Sequence, residues 1–85
     1  MKVLVPSPLL SYTRERELDV QAGSLRELFA ELDRRFPGLR FRVIDEQDAI
    51  RRHLRVFVNG GQVNTLERPL GPRDVVQIVQ ALSGG

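Results

Sequence analysis

The sequence predicts an α+β fold, a mixed sheet of four to five strands packed on one main helix running from about Ser24 to Phe36. Three observations carry that prediction. Ser24 stands three residues before Glu27, the capping-box spacing, and opens an apolar stripe of Leu25, Leu28, Phe29, Leu32 and Phe36 at helical period. Asn59-Gly60 sits between two β-branched runs and signals a type I′ hairpin turn. The chain closes on Asp74 to Leu82, a strand pattern with Val76 and Ile78 on one face and Val75, Gln77 and Val79 on the other.

In chain order, Val3, Leu4 and Val5 begin a short strand that Pro6 and Pro8 end, and Glu15 to Val20 resumes with Leu18 and Val20 alternating against Glu17 and Asp19. A loop around Ser11 to Arg14 joins the two into an opening hairpin. Along the main helix, Arg26, Glu27, Glu31, Arg34 and Arg35 stay off the apolar stripe, and Pro37-Gly38 stop it. Leu39 to Arg52 reads as a long hydrophilic connection with one helical turn, anchored by Phe41, Val43 and Ile44. Leu54, Val56 and Val58 alternate with Arg55 and Phe57, Val63 begins the return strand, and Leu66 to Pro72 is turn material. Parallel strands in one sheet need a crossover, and the one long helix follows the first hairpin. The last strand is therefore expected centrally, beside the first.

Composition narrows the function classes. At 85 residues and 9.7 kDa the chain makes a single domain, read as 1–85 with a flexible C-terminal tail over 82–85. A domain of that size has no room for a deep enclosed active site. Hydrophobic residues at 41% and charged residues at 28% are the balance of a folded domain, not of a disordered one. No apolar stretch has the length of a membrane span and the N-terminus is too short for a signal-peptide core, so the expected location is the cytoplasm, with no membrane partner. Cysteine is absent, which removes disulfides, thiolate metal sites and thiol nucleophiles. His53 is the lone histidine and reads as a surface or edge residue, giving no support to a metal cluster or a Ser/His/Asp arrangement.

The net charge is +2, and among the 13 basic residues Lys2 is the single lysine. Codon bias explains that skew most simply. A protein whose own carboxylate becomes activated would also benefit from few internal amines.

The end of the chain carries the candidate chemistry. Ser83, Gly84 and Gly85 follow the last strand directly. Glycine lets a backbone enter a channel too narrow for a Cβ and adopt any φ/ψ demanded there. A frayed terminus is the plain alternative, and the weight of the glycine pair depends on what precedes it.

What precedes it resembles the ubiquitin-like β-grasp sulfur carriers of the MoaD/ThiS kind: the small subunit of molybdopterin synthase, the thiamine-pathway carrier, and the carrier of one route to cysteine. The similarity spans nearly the whole chain. It rests on the short first strand, the helix from Ser24 to Leu32 with Phe36-Pro37 after it, Val56-Phe57-Val58-Asn59-Gly60, and Asp74 to Val79 leading to Ser83-Gly84-Gly85. The sequence departs from the family where members often carry Gly-Asp before the last strand and proline before the tail; here these are Arg73-Asp74 and Gln80-Ala81.

The resemblance implies a carrier, not an enzyme. An E1-like enzyme adenylates the Gly85 carboxylate, and sulfide or a persulfide then displaces AMP to leave a thiocarboxylate. That sulfur is donated to a synthase making cysteine, molybdopterin, thiamine or a related metabolite. Leu82, Ser83 and Gly84 would thread into the partner, which supplies ATP, magnesium and all catalytic residues, so no cofactor is bound stably. By strand parity Phe57 and Val79 fall on the open face of the sheet and are the expected docking patch. The free chain is expected to be a monomer.

Other classes compete. A ubiquitin-like modifier joined through Gly85 to lysines shares fold, tail and activating enzyme, and an interaction module without chemistry would not need Gly85. Arg34, Arg35, Arg40, Arg42, Arg51, Arg52 and Arg55 suggest a nucleic-acid surface, but 11 acidic residues dilute them and no aromatic-rich RNA-reading strand is present. No nucleic-acid partner is therefore expected.

Overall fold

The computed structural model describes residues 1–81, and the predicted tail, Leu82, Ser83, Gly84 and Gly85, lies outside the described residues. Five strands form one sheet: β1 (Lys2–Leu4), β2 (Glu17–Asp19), β3 (Leu54–Val58), β4 (Gly61–Val63) and β5 (Val75–Gln80), in the spatial order β2-β1-β5-β3-β4. β5 runs parallel to β1 and antiparallel to β3, so the last strand is central, as the crossover argument requires.

The main helix, α2, spans Leu25–Arg35. Ser24 caps it by accepting the Glu27 N–H at 3.2 Å, but Glu27 returns its carboxylate to the N–H of Gly23, not of Ser24. The box is thus displaced by one residue at its outer end. Leu25, Leu28, Phe29 and Leu32 are fully buried against Val3, Val56, Val76 and Ile78, with Phe36 packed at the margin. Each such side chain contributes roughly 1.5–3 kcal/mol of burial. The helix stops where Gly38 takes φ +95° against the ring of Tyr12, while Asp33 accepts the N–H groups of Gly38 and Arg40, both at 3.1 Å. The left-handed backbone favours glycine there.

Two expectations change, and the helical turn expected in the long connection is present. The first connection is not a loop at Ser11 to Arg14: a 3-10 turn over Ser7–Leu9 leads into a short helix, α1 (Leu10–Thr13), closed by Arg14 at φ 61°. Prolines at positions 6 and 8 suit a helical start, where a missing N–H costs nothing, and Leu9 from this segment is buried in the core. The second strand is correspondingly shorter than Glu15 to Val20, and β5 is shorter than Asp74 to Leu82. The long connection holds a five-residue helix, α3 (Leu39–Val43), whose Leu39 and Val43, one turn apart, are both buried. Its next turn is closed by Asp45, whose Oδ1 accepts the N–H groups of Gln47 and Ala49. Those bonds hold the Asp45 carboxyl below its ordinary range.

Candidate functional site

The site is the end of the sheet from which the tail leaves, and its rigidity begins at the opposite end of β5. Asn59 and Gly60 have φ 52° and 86°, the type I′ turn read from the sequence. The Asn59 side chain donates to Asp74 Oδ1 at 2.9 Å and accepts the Val75 N–H at 2.9 Å, while the Asn59 N–H bonds the Val75 carbonyl. Asp74 Oδ2 also accepts the Gly71 N–H. Asn59 and the Gly71 backbone hold the Asp74 carboxyl below its ordinary range. This clasp fixes the start of β5 to the β3–β4 turn and gives Asp74 its role, although arginine stands before it.

From the clasp, β5 pairs with β3 through Leu54–Gln80, and the ladder extends one step further, with the Ala81 N–H donating to the His53 carbonyl at 2.8 Å. The tail is thus anchored up to Ala81. Beyond it lie four residues, a reach of about 13 Å when extended. His53 is exposed beside the strand, and its backbone, not its imidazole, contributes to the anchor.

Phe57 and Val79 share the open face with Arg55 and Gln77, as parity requires, while Val56, Val58, Val76 and Ile78 are buried on the other. Both are half-buried, and Val75 together with Leu4, which is in register with Gln77, brings the apolar side chains of that face to four. Sequence alternation alone misses Leu4, because its face depends on the register between β1 and β5.

Among the described residues the exposed large apolar side chain lies elsewhere: Phe41 of α3 is 51% exposed. It borders a cleft of about 360 Å³ lined by Pro8, Leu9, Arg42, Arg51, His53 and Leu54, beside the Ala81 anchor. The Arg51 guanidinium lies 4.5 Å from the Phe41 ring centroid, and its Nε–H donates to the Phe41 carbonyl at 2.7 Å. Arg42 lies over Tyr12 at 5.9 Å. The sequence groups Phe41 with Val43 and Ile44 as local apolar anchors of the connection. The sign that it is not core is its place between Leu39 and Val43, two residues from each and so off their helical face.

The arginines that look like one basic surface in the sequence fall into two sets. Arg34 and Arg35 bind Glu31, and Arg26 and Arg40 share Asp48, with Arg26 also holding Glu67. The Glu31 carboxyl is pulled down to about 2 by hydrogen bonds from Arg34 and Arg35, and Asp48 is lowered by those from Arg40 and Arg26. Among the described residues, Arg42, Arg51, Arg52 and Arg55 have no such carboxylate partner.

The amines sit far from the Ala81 anchor. The Met1 ammonium is buried, donating to the Val20 carbonyl at 2.8 Å, and Lys2 pairs with Glu17 at 3.7 Å. Lys2 is level with Val75, the first residue of β5, so about 20 Å of strand separates it from Ala81. Among the described residues no cluster of side chains is suited to a metal ion, and no helix is long and apolar enough to cross a membrane.

The ThiS family model matches residues 3–85. The chain belongs to the ThiS family. Its fold is the β-grasp of ubiquitin-like sulfur carriers and modifiers. CysO of Amycolatopsis orientalis, in a crystal structure of its complex with BexX, is 25% identical, with a TM-score of 0.88 over 99% of this chain and 98% of that one. Mycobacterium tuberculosis CysO, described as an antigen, gives 0.88 at 21% identity over 95% and 98% of the two chains. Small archaeal modifier protein 1 of Methanosarcina acetivorans gives 0.81 at 20% identity over 99% and 94%. Among curated proteins, none matches this sequence.

Proposed function

We propose that this ThiS-family chain is a sulfur carrier whose reactive group is the Gly85 carboxylate. The observation that carries the reading is the terminal Ser83-Gly84-Gly85 placed four residues or fewer beyond a strand locked into the centre of the sheet up to Ala81. A rigid root with a side-chain-free end suits delivery of a carboxylate into another protein's active site.

In this reading the Gly85 carboxylate attacks the α-phosphorus of ATP in an E1-like enzyme, and pyrophosphate leaves. The resulting acyl adenylate is attacked at its carbonyl carbon by hydrosulfide, AMP leaves, and loss of a proton gives the thiocarboxylate. The sulfur then passes to a synthase. ATP and magnesium belong to the activating enzyme, and the carrier supplies no acid or base. Leu82, Ser83 and Gly84 thread into the partner, while Phe57 and Val79, with Leu4, offer an apolar face to it. The likeness to a CysO crystallised with BexX supports a protein partner of this kind. We place the chain in the cytoplasm as a free monomer.

The burial of the Met1 amine and the placement of Lys2 at the far end of β5 disfavour acylation of the chain by its own activated Gly85. The test is ATP–pyrophosphate exchange by the activating enzyme of the same organism. Exchange that depends on the chain and disappears on deletion of Gly85 is the expected result. Exchange unaffected by the deletion, or none with the intact chain, refutes the reading.

A further inference from the structure

We propose that the cleft between Phe41 and Leu54 at the tail root is a second docking surface, which receives an acidic segment of the activating enzyme bearing one apolar side chain. The inference deepens the carrier reading and rests on it for the identity of the partner.

Position is the first argument. An enzyme that takes Gly85 into its active site has about 13 Å of tail beyond Ala81, so its surface must descend close to the end of the sheet. His53 and Leu54, which line the cleft, flank the anchor itself. Chemistry is the second. Leu9 and Leu54 are buried at its base, while Phe41 is half in solvent, so the cleft offers an apolar wall with room for an apolar side chain. Arg42 and Arg51 stand on its rim without a carboxylate partner among the described residues. Positive charge grouped around an apolar recess complements carboxylates flanking an aliphatic or aromatic tip. The third argument is preorganisation. Arg51 is held by its bond to the Phe41 carbonyl and by the ring itself, so little side-chain entropy remains to be lost on docking.

The same arrangement disfavours nucleic acid. Among the described residues Phe41 is the one large aromatic side chain that is mostly exposed, whereas single-strand binders stack successive bases on several.

The test uses the chain with Gly84 and Gly85 deleted as a competitive inhibitor of ATP–pyrophosphate exchange by the activating enzyme on the intact chain. The truncated chain carries no reactive carboxylate in register, so its inhibition constant reports docking apart from chemistry. Phe41→Ala and Arg42→Glu, both at exposed positions, are each expected to raise that constant about tenfold. In the intact chain they raise KM by a similar factor with kcat unchanged, and circular dichroism confirms the fold. Rising salt should weaken the parent truncated chain and leave the Arg42→Glu form nearly indifferent. Unchanged inhibition by both variants overturns the cleft while wild-type exchange still supports the carrier. Absence of exchange with the wild-type chain overturns both. Salt-sensitive binding of tRNA abolished by Arg42→Glu, with inhibition unaltered, assigns the surface to nucleic acid and also overturns the proposal.

Discussion

The arginines on the helix side of the molecule and those at the tail end differ in what holds them. Behind α2, Glu31 binds Arg34 and Arg35, and Asp48 ties Arg26 to Arg40, stitching the main helix to α3 and its following turn. At the tail end, Arg51 and Arg42 lie over aromatic rings and present their charge outward. Charge on the first side is spent within the fold, and on the second it is available to a partner. The difference separates residues whose loss should be read in stability from residues whose loss should be read in activation.

The sharpest way to press that separation is Phe29→Ala. Phe29 is fully buried between α2 and the sheet, and its truncation should cost about 3–5 kcal/mol in chemical denaturation, with normal exchange kinetics for whatever fraction remains folded. A loss near zero would mean that α2 is not the core element described. Asn59→Ala comes next. It places alanine at φ 52° and removes the side-chain clasp bonds to Asp74 and Val75, an expected loss of about 1–3 kcal/mol. Asn59→Gly relieves the backbone and should recover part of that, which would show how much of the clasp is hydrogen bonding.

Acid titration is the smallest and most discriminating. Glu31 falls from an ordinary 4.5 to about 2 through its hydrogen bonds with Arg34 and Arg35. A depressed carboxyl contributes stability that is fully present above its unfolded value and is lost as pH falls through the folded one, here between about pH 4.5 and 2. Urea midpoints across that window should fall less in Glu31→Gln than in the parent. Arg42→Gln at the tail end should leave the slope as it was. Equal flattening by both would erase the distinction between the two sets.

The sequence made some of this legible and hid the rest for physical reasons. The main helix was readable because its stripe, cap and stop agree, and the central position of β5 followed from the need for a crossover. Asn59-Gly60 announced its turn because both residues tolerate positive φ. The helical segment over Ser7 to Thr13 was hidden because two prolines read as strand breakers before they read as helix starters. Phe41 was grouped with Val43 and Ile44 as a local anchor because three apolar residues in a short segment do not reveal which face is buried until α3 is seen to seat Leu39 and Val43. The division of the arginines was invisible, since Arg26, Asp48 and Glu67 are brought together only by the fold. The Gly85 end lies outside the described residues, and the role proposed for it rests on the sequence and on its resemblance to sulfur carriers.

The reaction at Gly85 is the central claim, and intact mass spectrometry addresses it most directly. The chain would be incubated with the activating enzyme of its organism, ATP and sulfide, beside a form lacking Gly85. The carrier account predicts a mass gain equal to one oxygen replaced by one sulfur in the intact chain and none in the truncated form. An unchanged mass in both, with the enzyme shown to be active on another carrier, would contradict it.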